Sequence, residues 1–275
     1  MNSSFSGCEF EINREHETLL KYSPSVEYRS RLLMQAQKQA IFHKFNTNKN
    51  IVIPNVVSIR NNGFIMEYMP DAIDHLSLFE NDKIINIKKY VDNVLNFIDT
   101  NLSKSYYVDG LELEKYKSIT MTKLSSINLH GMVSKKERQK LVNLIEKNKE
   151  PLLIGQCHGD LTLNNILSDG SNIVIIDFLD SFIDSPIIDI IKIQQDTCNY
   201  WSILLKERGD FSSYKKTLSV YSYINERLGA ANIKCRKWVA VLEILNYMRI
   251  LPYAAEKNKN LEYLSRIINT KIGAL

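Results

Sequence analysis

A chain of 275 residues, 44% hydrophobic and 24% charged, is long enough to bury one large core or two modest ones sharing a cleft. Its 35 lysines and arginines against 31 acids leave a net charge of +4, a mixed surface that argues against a nucleic-acid partner. Ten glycines and six prolines exclude collagen-like and low-complexity classes. Neither G-x-x-x-x-G-K-S/T nor G-x-G-x-x-G occurs, which argues against Walker-type and Rossmann phosphate sites. Cys8, Cys157, Cys198 and Cys235 are widely spaced and form no C-x-x-C pair, a pattern of reduced thiols in a cytoplasmic protein. The opening residues, MNSSFSGCEFEINRE, lack the basic and apolar regions of a signal peptide. No run approaches the ~18 apolar residues of a membrane span.

Phe10 and Ile12 alternate around Glu11, and Thr18 to Tyr22 reads as a second strand, so the first expectation is a hairpin turning at Asn13 to Glu17. Ser25 to Phe45 then reads as a helix with Leu32, Leu33, Ala36, Ala40 and Phe45 on its apolar side. Val52-Ile53-Pro54 and Val56 to Ile59 suggest an edge strand, and Asn61-Asn62-Gly63 a tight turn into another strand, Phe64 to Met69. Beyond Pro70 helices dominate. Ile84, Ile85, Ile87, Val91, Val94, Leu95 and Ile98 make a helical stripe, and Ser134 to Glu137 is a capping box opening a helix to Lys147. A short strand is expected at Leu152 to Ile154, and paired strands at 165–167 and 172–176 around Asp169-Gly170. Ser185-Pro186 should cap a long helix running to about Leu205, followed by helices near 213–228, 231–250 and 258–271.

The chemistry concentrates in residues 156–196, QCHGDLTLNNILSDGSNIVIIDFLDSFIDSPIIDIIKIQQD. From His158 to Asp196 there are seven aspartates, no glutamate and one base, Lys192, so this stretch carries −6 against +10 for the remainder. Several of the aspartates are embedded in apolar runs, where a carboxylate must be paired, hydrogen-bonded or on a metal.

His158-Gly159-Asp160, Asn165 five residues after that aspartate, and Ile176-Asp177-Phe178 ending an apolar strand form one pattern. It resembles the kinase catalytic loop H-R-D-x-x-x-x-N followed by D-F-G. The H-G-D and I-D-F forms resemble the aminoglycoside phosphotransferase and choline kinase-like family more than protein kinases, and Asp189 matches a further aspartate of that family. The resemblance implies an α+β, two-lobed protein kinase-like fold. A small amino-terminal sheet with one helix, residues 1–69, would bind the nucleotide. A large, mainly helical carboxy-terminal lobe, residues 70–275, would hold the catalytic loop and the acceptor pocket.

Within that frame Asp160 accepts the proton of the substrate hydroxyl or orients it in line with the γ-phosphate of ATP or GTP. Asn165 and Asp177, a neutral oxygen and a carboxylate, are hard ligands suited to Mg²⁺. Lys21 lies where the family's strand lysine grips the α- and β-phosphates. Met66-Glu67-Tyr68-Met69 matches the interlobe hinge, so the backbones of Glu67 and Met69 would hold the base, and Ser3 to Gly7, with Ser6 and Gly7, would cover the phosphates. His158 is expected to hold the loop, and Asp189 to accept backbone N–H bonds from it. Asp180 and Asp184 are open between substrate or second-metal groups and a solvated turn.

Two features depart from the family pattern. Only two residues precede Ser3, so the first strand of the usual five-stranded sheet is absent or short. The helix after Lys21 has no glutamate to pair with it, and Gln35, Gln37 or Gln39 occupies that region, able to accept a hydrogen bond but not to supply charge. The acceptor should lie against residues 80–150 and the helices after 200. The lysine-rich tail argues against a polycationic antibiotic. Trp201, Trp238, Tyr200, Tyr247 and Tyr253 are either core or a cage for a quaternary ammonium, and Arg249 is a candidate acceptor contact.

The expected activity is Mg²⁺-dependent transfer of the γ-phosphate of ATP or GTP to a hydroxyl of a small molecule such as a sugar, polyol or amino alcohol. A protein kinase is the first rival, opposed by Leu179 in place of the D-F-G glycine and by the lack of A-P-E. A non-catalytic pseudokinase that binds a nucleotide or a protein partner is the second.

Overall fold

Strand-forming residues come first. β1 (Glu9–Asn13) and β2 (Thr18–Tyr22) pair antiparallel with Phe10 opposite Lys21. This is a computed structural model, and it describes residues 8–205, 214–229, 234–256 and 260–275. α1 (Val26–Phe45) follows, started at Ser25 where Ser23-Pro24 ends the strand. β3 (Ile51–Val52), β4 (Val56–Arg60) and β5 (Gly63–Glu67) complete the first part. The expected hairpins merge into one antiparallel sheet of order β1-β2-β5-β4, and α1 packs on it through a small core of Cys8, Leu32, Ala36, Phe64 and Met66.

The face that α1 buries differs from the expected one. Leu32, Gln35, Ala36, Gln39 and Phe42 are buried, at a spacing of three and four residues, while Leu33 and Phe45 are exposed. Hydropathy misassigns this helix because two glutamines are on its inner side. Gln39 donates to the carbonyl of Pro54 at 2.8 Å, and Gln35 accepts from Lys21. Buried amides with partners are tolerated; without them they would not be.

The larger part begins with α2 (His75–Asn81), a helix the sequence pattern does not announce, capped by Asp74. α3 (Ile84–Ser103) buries the stripe Ile87, Val91, Val94, Leu95 and Ile98. β6 (Tyr106–Val108), α4 (Gly110–Ser126), α5 (Lys135–Lys147) and β7 (Leu152–Ile154) follow, with β6 and β7 paired. The capping box of α5 forms as expected: Ser134 Oγ accepts from Glu137 N–H, and Glu137 accepts from Ser134 N–H. β8 (Ile166–Ser168) and β9 (Ile173–Ile175) form the hairpin around Asp169-Gly170, its turn held by Asp169 Oδ1 on the N–H groups of Ser171 and Asn172.

β3 does not join the first sheet. It pairs in parallel with β9, Ile51 opposite Ile173, and makes the third strand of the order β3-β9-β8. Phe42, Ile51 and Ile53 therefore share a core with α3, Phe178 and the residues around the catalytic loop.

α6 (Pro186–Thr197) opens on Ser185 and Pro186, as read from the sequence, but ends early. Tyr200 takes a left-handed φ of 54°, and α7 (Trp201–Leu205) is a separate turn. The break has a cause in Asp196, whose carboxylate receives Ser202 N–H and Oγ–H and so caps α7 from the last turn of α6. α8 (Lys215–Gly229), α9 (Arg236–Glu256) and α10 (Leu261–Gly273) close the chain, α9 and α10 packing against α5 and α6 around Trp238, Leu242 and Tyr247. Among the described residues no helix is long and apolar enough to cross a membrane.

Candidate active site

The catalytic loop runs from His158 to Asn165 and enters β8 through a single 3₁₀ turn, Leu163–Asn165. Gly159 has φ near +90°, and a Cβ there would lie 2.2 Å from the carbonyl oxygen of Leu179. Only glycine fits between the loop and the segment after Asp177. His158 is fully buried against Phe178, ring centres 4.4 Å apart. Its Nε2 lies 2.7 Å from the carbonyl of Ile176, and its Nδ1 accepts Asp160 N–H at 3.1 Å, which fixes the neutral tautomer protonated at Nε2. Burial pushes its pKa down to about 4. His158 is a brace.

One face of α6 grips this loop. Asp189, Lys192 and Asp196 are three and four residues apart and so point the same way. The Asp189 carboxylate accepts the N–H groups of His158 and Gly159 at 2.7 and 2.8 Å. Lys192 Nζ lies 2.8 Å from Asp160 Oδ1. Asp196 accepts Leu163 N–H at 2.6 Å. Burial raises Asp189 to about 7 and Asp196 to about 6 against the pull of their N–H donors. For Asp160, burial is the largest influence and works upward too, but the Lys192 ammonium, with His158 and Arg249 adding to it, holds the carboxyl below its ordinary range. Lys192 and Asp196 are site residues that motif reading missed; the only signal was a charged i, i+3, i+7 series in an apolar helix.

Asn165 points back at Asp160. Its Nδ2 donates to the Asp160 carbonyl at 2.8 Å and stands 3.3 Å from Asp160 Oδ2, so its oxygen is the end turned away. Ile176 N–H donates to the Asn165 carbonyl at 3.0 Å, extending the β8–β9 ladder to the doorstep of Asp177. Asp177 itself has a left-handed φ of 61°, a conformation that aspartate tolerates better than most residues and that turns the chain out of the strand. Its Oδ1 meets Lys21 Nζ at 3.1 Å, and the same ammonium donates to Gln35 Oε1 at 2.9 Å. Of the three glutamines in the region it is Gln35 that takes the place of an acid. An amide oxygen and a carboxylate across one hairpin are a fitting donor pair for Mg²⁺, which keeps most of its positions for phosphates and water. Among the described residues there is no cluster of three or more His, Cys, Asp or Glu for another kind of metal.

At the hinge, Glu67 N–H and Oε2 are engaged by Asn55, and Tyr68 N–H donates to Glu17. Among the described residues nothing accepts from Met69 N–H. Ser6 and Gly7, with the rest of the expected phosphate-covering loop, lie outside the described residues. Asp180 is exposed, whereas Asp184 pairs with Lys38 of α1 at 2.8 Å, and Lys38 also donates to the Leu179 carbonyl at 3.0 Å. Trp238 and Tyr247 are core, with Trp238 Nε1 on the Glu150 carbonyl and the Tyr247 hydroxyl taken by Asn199; the Tyr253 side chain lies outside the described set.

Loop, hairpin and strand lysine come together as the resemblance to kinase-like phosphotransferases leads one to expect. The profile of the phosphotransferase enzyme family matches residues 134–211, the span from the cap of α5 past α6 that holds the loop and Asp177. No curated protein matches the chain. Among solved structures, choline kinase LicA from Streptococcus pneumoniae is 13% identical with a TM-score of 0.56, covering 100% of this chain and 92% of its own. The gentamicin complex of APH(2")-IIa is 13% identical with a TM-score of 0.52, covering 99% of this chain and 89% of its own. Macrolide 2'-phosphotransferase MphH from Brachybacterium faecium is 10% identical with a TM-score of 0.50, covering 95% and 87%. These likenesses show the two-lobed protein kinase-like fold. With the family profile they bear out the resemblance carried by His158, Asp160, Asn165 and Asp177.

Proposed function

We propose that this protein transfers the γ-phosphate of ATP or GTP to a hydroxyl of a small molecule, with residues 1–69 binding the nucleotide and residues 70–275 the acceptor. The observation that carries the reading is two contacting pairs, Asp160 with Asn165 and Asp177 with Lys21, drawn from the loop, the end of β9 and β2 and held beside each other by the Ile176 N–H bond to the Asn165 carbonyl. Phosphoryl transfer has a loose transition state, so positioning and charge neutralisation supply most of the catalysis.

Asp160 orients the acceptor hydroxyl and takes its proton as the terminal P–O bond to the β-phosphate breaks and the new P–O bond forms, releasing ADP or GDP. Its lowered pKa suits orientation more than strong base catalysis. Asn165 and Asp177 would hold Mg²⁺, which supplies charge neutralisation at the phosphates. Lys21 is buried, with side-chain exposure of 5%, and its ammonium is fixed by Gln35 and Asp177 for the α- and β-phosphates. Glu67 and Met69 offer hinge backbone to the base. The free cysteines fit a reducing, cytoplasmic setting.

A panel of small alcohols screened with Mg²⁺–ATP and Mg²⁺–GTP for nucleoside diphosphate release tests the reading. Alcohol-dependent release lost in Asp160→Asn is the expected result. One observation favours a second reading, a nucleotide-binding pseudokinase: Lys21 is paired by a neutral glutamine on α1. Nucleotide-induced thermal stabilisation without turnover of any alcohol would select it.

A further inference from the structure

Lys38 stands three residues after Gln35 on α1, so the two side chains are neighbours on the helix surface. Both act on one segment of the other part of the molecule, residues 177–184 after β9. Gln35 holds Lys21, which meets Asp177 at 3.1 Å. Lys38 Nζ holds the same segment further along, on the Leu179 carbonyl at 3.0 Å and Asp184 Oδ1 at 2.8 Å, and it also reaches Cys157 Sγ at 3.8 Å. An ammonium has three N–H donors, and here each has an acceptor, all from outside the sheet and α1. The side chain is 14% exposed. Fixing a lysine in this way costs rotamer entropy that a solvated surface lysine keeps.

The contact with Leu179 is the one that bears on the site. Asp184 is 53% exposed, so water screens its ion pair, whereas a charged N–H on a carbonyl away from water keeps its strength. Leu179 N–H donates to the His158 carbonyl at 2.9 Å, and its own carbonyl oxygen is the atom that leaves no room for a Cβ at Gly159. Leu179 is thus fixed to the catalytic loop through its N–H and to α1 through its carbonyl. Asp177 lies two residues earlier, past the end of β9 at Ile175 and in a left-handed turn. Its place is set from both sides, by Ile176 N–H on Asn165 and by Leu179 on His158 and Lys38.

We infer that Lys38 is a positioning residue for the metal ligand Asp177: by holding the Leu179 carbonyl it sets where the Asp177 carboxylate stands for Mg²⁺ on the phosphates of the nucleotide. The inference rests on the phosphotransferase reading and adds a residue of α1 to its nucleotide site. Gln35, being neutral, reaches Asp177 only through Lys21; Lys38 supplies a direct, charged link from the same helix to the segment that carries the ligand.

Titration calorimetry without any acceptor tests it, with ATP and GTP each supplied in excess Mg²⁺ and again in EDTA. The parent protein should bind at least one nucleotide more tightly with Mg²⁺ than without. Lys38→Met should weaken binding of that Mg²⁺–nucleotide about tenfold and of the metal-free nucleotide less than about twofold, since only the former uses Asp177. Lys38→Gln, which keeps a polar group but is too short to reach Leu179, carries the same expectation should Lys38→Met fail to fold. Lys271→Met, which breaks a 2.8 Å pair with Glu243 between α9 and α10, should change neither value. Equal weakening of the two forms, the signature of a general loosening, overturns the inference and leaves the phosphotransferase reading standing; so does unchanged binding of both. A parent protein that binds nucleotide equally well in Mg²⁺ and EDTA overturns it through Asp177. One that binds neither nucleotide in either condition takes the phosphotransferase reading down with it.

Discussion

Asp160 divides its carboxylate between a lysine and an amide, and this decides what each substitution should do. Asp160→Asn and Asp177→Asn keep shape and lose charge, so kcat should fall by at least ~10²-fold in protein that still folds; near-normal turnover in either would sink the assignment. Gly159→Ala should lower the melting temperature by about 4 °C or more, because a Cβ 2.2 Å from the Leu179 oxygen forces the loop off its support. His158 should remain neutral across the physiological range, so its imidazole NMR signals should not titrate between pH 8 and pH 5.5; a midpoint near 6.5 would contradict its burial. These five positions were legible in the sequence because the loop, the amide and the hairpin acid keep short, fixed spacings. Lys192 was not, since what makes it a site residue is a contact across 32 positions, and in the sequence it is one base in an acidic segment.

At the scale of the element, α6 works as a handle on the loop. Asp189→Ala strips two buried N–H groups of a charged acceptor and should cost about 2–4 kcal/mol in chemical denaturation. The pH dependence has two opposing parts. His158, neutral when folded, contributes stability that is present above its unfolded pKa near 6.5 and is lost as pH falls toward about 4. Asp189 and Asp196, raised to about 7 and 6, hold their protons more tightly when folded, so their contribution favours the folded state at low pH and is lost as pH rises through 6 to 7. Between pH 4 and 6.5 the two trends run against each other. The start of α6 was readable from Ser185-Pro186, a local signal; its end was not, because a side-chain cap reaching Ser202 overrides a hydrophobic run that continues to Leu205. α1 misled for the mirror reason, its inner face depending on partners that hydropathy ignores.

Across the whole molecule, the sheet and α1 are tied to the helical part by Lys21–Asp177, by Lys38–Asp184 and by the parallel pairing of β3 with β9. Phe42 sits at that junction, 4.9 Å from Phe178 and 5.8 Å from Phe97 between ring centres. Phe42→Ala should therefore cost about 3–5 kcal/mol and lower one cooperative calorimetric transition as a unit. Two separated transitions in the parent protein would show that the shared core does not couple the parts. The two-lobed plan was legible from the order of strands and helices. The crossing of β3 into the second sheet was not, because a two-residue strand carries too little pattern to name its partner.

That crossing sets a schedule for synthesis. Translation proceeds at ~5–20 residues per second, so Ile51 is made roughly ten seconds before Ile173, the residue it pairs with. Until then Phe42, Ile51 and Ile53 have no floor to pack on, and a nascent chain halted short of β9 presents them to any holdase or protease nearby.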